Sequence, residues 1–181
     1  MKRLPLAAYA ATTSLPLGWF LAGSHPAHYA AGTDSVASNG KRSAYLASSA
    51  TNAQGFGTLM QTANADRFRG KRIRMTASIQ PEKVQGWAGM WLRADDANDK
   101  VLVFDNMQSR PIRGTSDWTT TEIVADIPAD AATLSFGILL HGEGKVRIDI
   151  IRFEEVDSSV PVTAKPMTHP TLSDSQSLDF E

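Results

Sequence analysis

The chain has 181 residues, 42% apolar and 20% charged, which is the make-up of one globular domain with a sizeable core. Its 18 basic and 19 acidic side chains leave a net charge of −1, without the positive surplus that non-specific binding to nucleic acid or an anionic membrane needs. With no cysteine, a disulfide scaffold, a zinc–thiolate site and a thiol nucleophile are all excluded.

The N-terminus carries a partial export pattern. Met1-Lys2-Arg3 precedes an apolar run, and Ala8-Tyr9-Ala10 imitates a cleavage site. Pro5 and Thr12-Thr13-Ser14 interrupt that run, and no stretch approaches the roughly 18 apolar residues of a membrane span. The expectation is an irregular segment over residues 1–16 of a cytoplasmic protein, with export on a short signal as the alternative.

Residues 17–23 read as a first strand or edge segment, limited by the surrounding glycine and proline. Residues 24–34 read as a loop, in which His25 and His28 have no third metal ligand close by and are expected to be exposed. Asn39-Gly40 is a hairpin-turn signal, and residues 43–48 alternate as the strand that follows it. Residues 56–62 form the next strand, with Leu59 and Gln61 on one side and Thr58 and Met60 on the other. Over residues 72–80 the apolar set Ile73, Met75, Ala77 and Ile79 alternates with a polar set, predicting a half-buried strand ended by Pro81-Glu82.

The most informative stretch is Gly86-Trp87-Ala88-Gly89-Met90-Trp91-Leu92-Arg93-Ala94-Asp95, with its partner Val101-Leu102-Val103-Phe104-Asp105-Asn106-Met107-Gln108. The polar turn between them makes a β-hairpin. Met90 and Leu92 share one face and read as core; Trp91 and Arg93 share the other. That second face, bordered by Asp105, Asn106 and Gln108, is the expected ligand face.

Residues 110–117 read as a loop, and residues 118–126 as a strand ended by Ile127-Pro128. Residues 133–141 form another strand, with Leu134, Phe136, Ile138 and Leu140 on one face. The last strand spans residues 145–153, and its apolar phase slips near Asp149, predicting a bulge there. Residues 158–181 hold three prolines, many Ser and Thr and no period, and are expected to be a disordered tail after a domain over residues 17–157. No helix-period run of useful length occurs. The fold class is therefore all-β: a two-sheet antiparallel β-sandwich of jelly-roll type.

Several segments in this order resemble a known bacterial family. They are Gly57-Thr58-Leu59-Met60-Gln61, Arg69-Gly70-Lys71-Arg72, Trp87-Ala88-Gly89-Met90-Trp91-Leu92-Arg93, Phe104-Asp105-Asn106-Met107-Gln108, Asp117-Trp118 with Ile127-Pro128, and Val146 through Phe153. The family is one of galactose-binding-like jelly-roll domains, found alone or beside helix-turn-helix transcription regulators of the arabinose-regulator (AraC) type. The resemblance runs from about Trp19 to Val156 and leaves about sixteen residues for any signal, the short limit for one. The layout also resembles carbohydrate-binding modules, whose last strand often ends in a pattern like Ile148-Asp149-Ile150. The resemblance implies a jelly roll with a link to transcription regulation. This chain departs from the regulators in having no segment with helix-turn-helix periodicity, so direct DNA binding is not expected.

Three functions compete. The first is a non-catalytic module that holds a small polar ligand such as a carbohydrate on the Trp-bearing face, where Trp gives a platform and polar side chains bond hydroxyls. Its candidate ligand-binding residues are Gln61, Trp91, Arg93, Asp105, Asn106, Gln108, His141 and Arg147. Against it, Trp91 reads equally as a core residue, Arg93 with Asp105 as a cross-strand ion pair, and Trp87 and Trp118 as packing residues at strand starts. The second is a glycan hydrolase using Asp95, Asp96 and Asp105, for which turn capping is the better account of the Asp95-Asp96-Ala97-Asn98-Asp99 run. The third is an interaction domain acting through a partner protein. No catalytic residue, metal or cofactor is assigned; Asp149 serves a bulge more readily than a calcium ion, since carboxylates at calcium spacing are not evident.

Overall fold

Two-residue alternation of apolar side chains is what the chain has in abundance, and it folds as strands. The structure, a computed structural model, describes residues 15–39 and 41–166, the side chains of residues 165 and 166 excepted. In chain order the strands are β1 Phe20–Gly23, β2 Tyr29–Asp34, β3 Ser43–Ser48, β4 Phe56–Asn64, β5 Arg72–Glu82, β6 Val84–Asp95, β7 Val101–Asp105, β8 Ile112–Gly114, β9 Thr119–Asp126, β10 Thr133–His141, β11 Lys145–Glu155 and β12 Lys165–Pro166. A single 3-10 turn, Pro26–His28, is the one helical element among the described residues.

The strands form two antiparallel sheets. The larger has seven strands in the order β1-β4-β10-β6-β7-β12, with β8 also paired to β6; the smaller has five, β2-β3-β11-β5-β9. The sheets bury their aliphatic faces on each other. Leu59, Met90, Leu92, Leu134, Ile138 and Leu140 come from the larger sheet, and Leu46, Ile73, Met75, Ile79, Ile123 and Val146 from the smaller, all essentially removed from water. Each such side chain contributes about 1.5–3 kcal/mol relative to exposure, which makes this interface the main stabilising term. The β-sandwich class expected from the alternation is the observed one.

The outer face of the smaller sheet is polar and laced with ion pairs. Arg74 meets Glu122 and Glu154, Arg72 meets Asp126, and Arg147 meets Asp34 and Glu82. Buried apolar and part-exposed residues alternate along the whole of β5, as the sequence predicts. The pairing of β11 with β5 shifts between Asp149 and Arg152, with Ile150 at φ 53°, so the bulge is present where the phase slips.

Three expectations are corrected. Residues 29–34, read as loop, form β2 and pair with β3 in a hairpin, because Tyr29 is buried and ties down two other loops. Its hydroxyl donates to the Gly55 carbonyl at 2.9 Å and accepts from the Gly142 N–H at 3.1 Å. Residues 112–114, also read as loop, add β8 to β6. The tail expected from residue 158 does not start there. Thr163 and Ala164 donate backbone N–H groups to the Val124 carbonyl, Ala164 is buried, and β12 pairs with β7. This segment thus bridges β7 of the larger sheet and β9, an edge strand of the smaller. The export-like pattern of residues 1–14 and the tail beyond residue 166 lie outside the described residues.

Candidate functional site

The outward face of the larger sheet is set by β6. Because Ala88, Met90, Leu92 and Ala94 enter the core, Trp87, Gly89, Trp91, Arg93 and Asp95 must point the other way. Register extends that face sideways. Leu139 lies opposite Gly89 and His141 opposite Trp87 on β10; Thr58 and Met60 follow on β4, and Phe104 lies opposite Arg93 on β7. Together these side chains enclose an open groove of about 550 Å³, lined by Ala22, Gly23, Phe56, Thr58, Met60, Trp87, Trp91, Arg93, Phe104, Asn106 and Leu139. That volume lies within the range of small-ligand sites, roughly 300–1,000 Å³.

Trp91 is the floor. Only 7% of it is exposed, and its indole N–H donates to the Thr58 hydroxyl oxygen at 2.7 Å. That hydroxyl in turn donates to the Ile138 carbonyl at 3.0 Å. The indole crosses β10 to reach β4, and Gly137, at Trp91's register on the strand between, presents no side chain in its path. Trp87 stands four residues earlier on the same face, about 13 Å away at ~3.3 Å per residue. Its ring stacks on exposed His141, with centroids 6.4 Å apart and planes 17° from parallel.

Arg93 closes the other end. Its side chain is 43% exposed, and its Nε–H donates to Asp95 Oδ2 at 2.9 Å. The Asp95 side chain is 4% exposed, and its second oxygen, also buried, has no hydrogen-bond partner among the described residues. Nearby, the Thr62 and Ser135 hydroxyls bond each other at 2.9 Å on the same face.

Of the residues the sequence points to, the structure brings Trp91, Arg93 and Asn106 into the groove and sets His141 at its rim. The other four are elsewhere. Gln61 has the core parity of β4 and lies by Gly18, on the opposite face from Trp91. Asp105 pairs in register with Leu92, not Arg93, and so points away from the groove. It accepts from Arg110 at 2.7 and 3.1 Å, from the Met107 N–H at 2.8 Å and from the Thr163 hydroxyl at 2.8 Å. Burial works against its charge, but these donors outweigh it and hold its pKa below the usual carboxylate range. The expected Arg93–Asp105 pair is therefore replaced by Arg93–Asp95 and Arg110–Asp105. Gln108 is exposed beyond β7, and Arg147 sits on the smaller sheet, across the sandwich.

Sequence reasoning missed Phe56, Thr58, Met60, Trp87, Phe104 and Leu139 as groove residues. Trp87 shares Trp91's parity, a signal that was there to read; Phe56 and Leu139 depend on which strands become neighbours. The face expected to be polar is mostly apolar, since six of its large side chains are aromatic, Leu or Met. Asp96 caps the hairpin turn, accepting from the Asn98 and Lys100 N–H groups at 2.8 and 3.0 Å, as the turn-capping account expects. Among the described residues no group of three or more His, Asp or Glu is placed to hold a metal.

Comparison with known proteins adds three findings. No protein-family model matches the chain. A Bacillus subtilis (strain 168) protein named as the uncharacterized HTH-type transcriptional regulator YbfP is 45% identical over 166 residues, 91% of this chain but 56% of that protein. The chain thus spans about half the length of this curated relative. Among solved structures, the CBM22-1 xylan-binding domain of Paenibacillus barcinonensis Xyn10C superposes with a TM-score of 0.57 at 10% identity, over 80% of this chain and 89% of that one. An apo form cyclase from Fischerella sp. superposes with a TM-score of 0.55 at 18% identity, over 81% and 88%. At these identities the likeness is one of fold, that of a two-sheet antiparallel β-sandwich.

Proposed function

We propose that this domain is a non-catalytic ligand-binding module. Its groove on the larger sheet takes a small ring-bearing ligand, a carbohydrate first among them, and reports its presence to a regulatory protein. The observation that carries the reading is the pair Trp87 and Trp91 on one open face, with Phe56 and Phe104 beside them and Arg93, Asn106 and Thr58 as the polar groups. Flat apolar walls with a few fixed polar groups suit a sugar ring, which has an apolar face and hydroxyls at its edge. The xylan-binding domain of the same fold supports the ligand class, and the regulator name of the half-matching relative supports the sensory role. In this reading the binding unit spans residues 17–166, works in the cytoplasm, and does not itself touch DNA.

A titration followed by tryptophan fluorescence and melting temperature tests it, using neutral and acidic oligosaccharides, nucleotides and amino acids. A ligand at about 100 times its Kd should add roughly 2.7 kcal/mol of stability. Trp87→Ala should abolish the response without unfolding the protein. Melting unaffected by any compound, together with stoichiometric co-purification of a protein, would replace this reading with the interaction-domain one. Phe20, 44% exposed and in register with Met60 on edge strand β1, would then be the place to look for the contact.

A further inference from the structure

The ligand groove proposed above has eleven lining residues, and Arg93 is the one charged side chain among them. Its setting is unusual for a surface arginine. The guanidinium is held by Asp95, a carboxylate that is 4% exposed and does not line the groove. Asp95 takes the Nε–H, and no other side-chain hydrogen bond or ion pair of Arg93 occurs among the described residues. Of the five N–H donors of a guanidinium, the four on its terminal nitrogens are therefore left to face solvent and groove.

We infer that the ligand of this groove carries a carboxylate on a ring-bearing body, and that Arg93 is the residue that selects it. The inference rests on the groove being the ligand site. Two observations support the charge. First, a ligand entering the groove meets Arg93, which lines it, and not Asp95, which does not. Second, two terminal N–H groups match both oxygens of a carboxylate at once, a match no single hydroxyl provides.

The spacing also says where the carboxylate belongs. Arg93 is two residues from Trp91 on the same face, about 7 Å along the strand, and Phe104 is its cross-strand neighbour. The acid group therefore sits about one ring away from the face that stacks on Trp91 or Phe104. Sugar acids and aryl carboxylates share this chemistry, and the test separates them.

Calorimetric titration of the full chain uses two matched pairs of probes: trigalacturonate against galactotriose, and phenylacetate against phenylacetamide. The expected result is that one acid binds at least about tenfold tighter than its neutral counterpart, the worth of one charge-assisted contact. The preference should vanish in Arg93→Gln. Since that change strands Asp95 without its cation, Arg93→Gln with Asp95→Asn serves as the second variant, its fold checked by circular dichroism. Galactotriose or phenylacetamide binding as tightly as its acid, and lost in Trp87→Ala, overturns the inference while the groove reading stands. An acid preference that persists in the double variant overturns it too. No binding by any of the four probes, or binding indifferent to Trp87→Ala, overturns both readings together.

Discussion

Replacing Asp105 by alanine removes the acceptor at the junction of three elements. In the wild-type protein its carboxylate receives two N–H groups of Arg110, the Met107 N–H and the Thr163 hydroxyl. Arg110 is one-third exposed and can turn to water, so its share is smaller than the 3–5 kcal/mol of a fully buried pair. The Met107 N–H belongs to a buried residue and has no such escape; stranding it costs about 1–3 kcal/mol. Adding roughly 1 kcal/mol for the Thr163 hydroxyl gives a loss of about 3 kcal/mol. For a chain of this size that is a fall in Tm of roughly 6–12 °C. Urea and thermal unfolding measure the loss. Hydrogen exchange at Thr163 and Ala164 measures its second consequence, because Asp105 anchors the segment that bridges β7 and β9. The sign with pH follows from the direction of the shift. A carboxylate whose pKa is lower folded than unfolded stabilises above its unfolded value and loses that contribution as pH falls through its folded value. Asp105→Ala should therefore cost most near neutrality and progressively less below about pH 4. A loss under about 1 kcal/mol at pH 7, or unchanged exchange at residues 163–164, would refute the reasoning.

Three further outcomes are expected. Thr58→Val strands the buried Trp91 indole N–H, which donates to it at 2.7 Å, and should cost about 1–3 kcal/mol by urea unfolding with a shifted tryptophan emission; an unchanged midpoint would show that water replaces the hydroxyl. In Gly137→Ala the added Cβ would run into the Leu59 carbonyl oxygen and stand 2.9 Å from Met60 Cα, so β4 and β10 must move apart at a cost of roughly 1–3 kcal/mol; full stability would mean the sheet adjusts freely. Burial opposes ionisation of Asp34, but Lys145, Arg147 and the Val36 N–H outweigh it and hold its pKa far below the ordinary carboxylate range. Its contribution is complete above about pH 4 and fades under acid, so Asp34→Asn should flatten the decline of stability below that pH. An unaltered acid limb would argue against it.

How far the sequence carries is best seen in β6. Alternation alone separated Met90 and Leu92 from Trp91 and Arg93, since a strand can only send successive side chains to opposite faces. The sandwich class, the strand over residues 133–141 and the bulge beyond Asp149 rest on the same local rule. Asp105 shows its limit. Whether it joins Arg93 or turns its back depends on register, and one residue of offset between β6 and β7 moved it to the far side of the sheet. Likewise Arg147 and Trp91 are alike polar-face residues in the sequence, yet they belong to different sheets.

Local chemistry thus determined which segments are strands and which of their sides are apolar, because side-chain period is a property of a few consecutive residues. Which strands lie side by side was decided by the packing of the whole chain. Only that neighbourhood put Phe56 and Leu139 next to Trp87 and Trp91 and gave the indole its partner on β4.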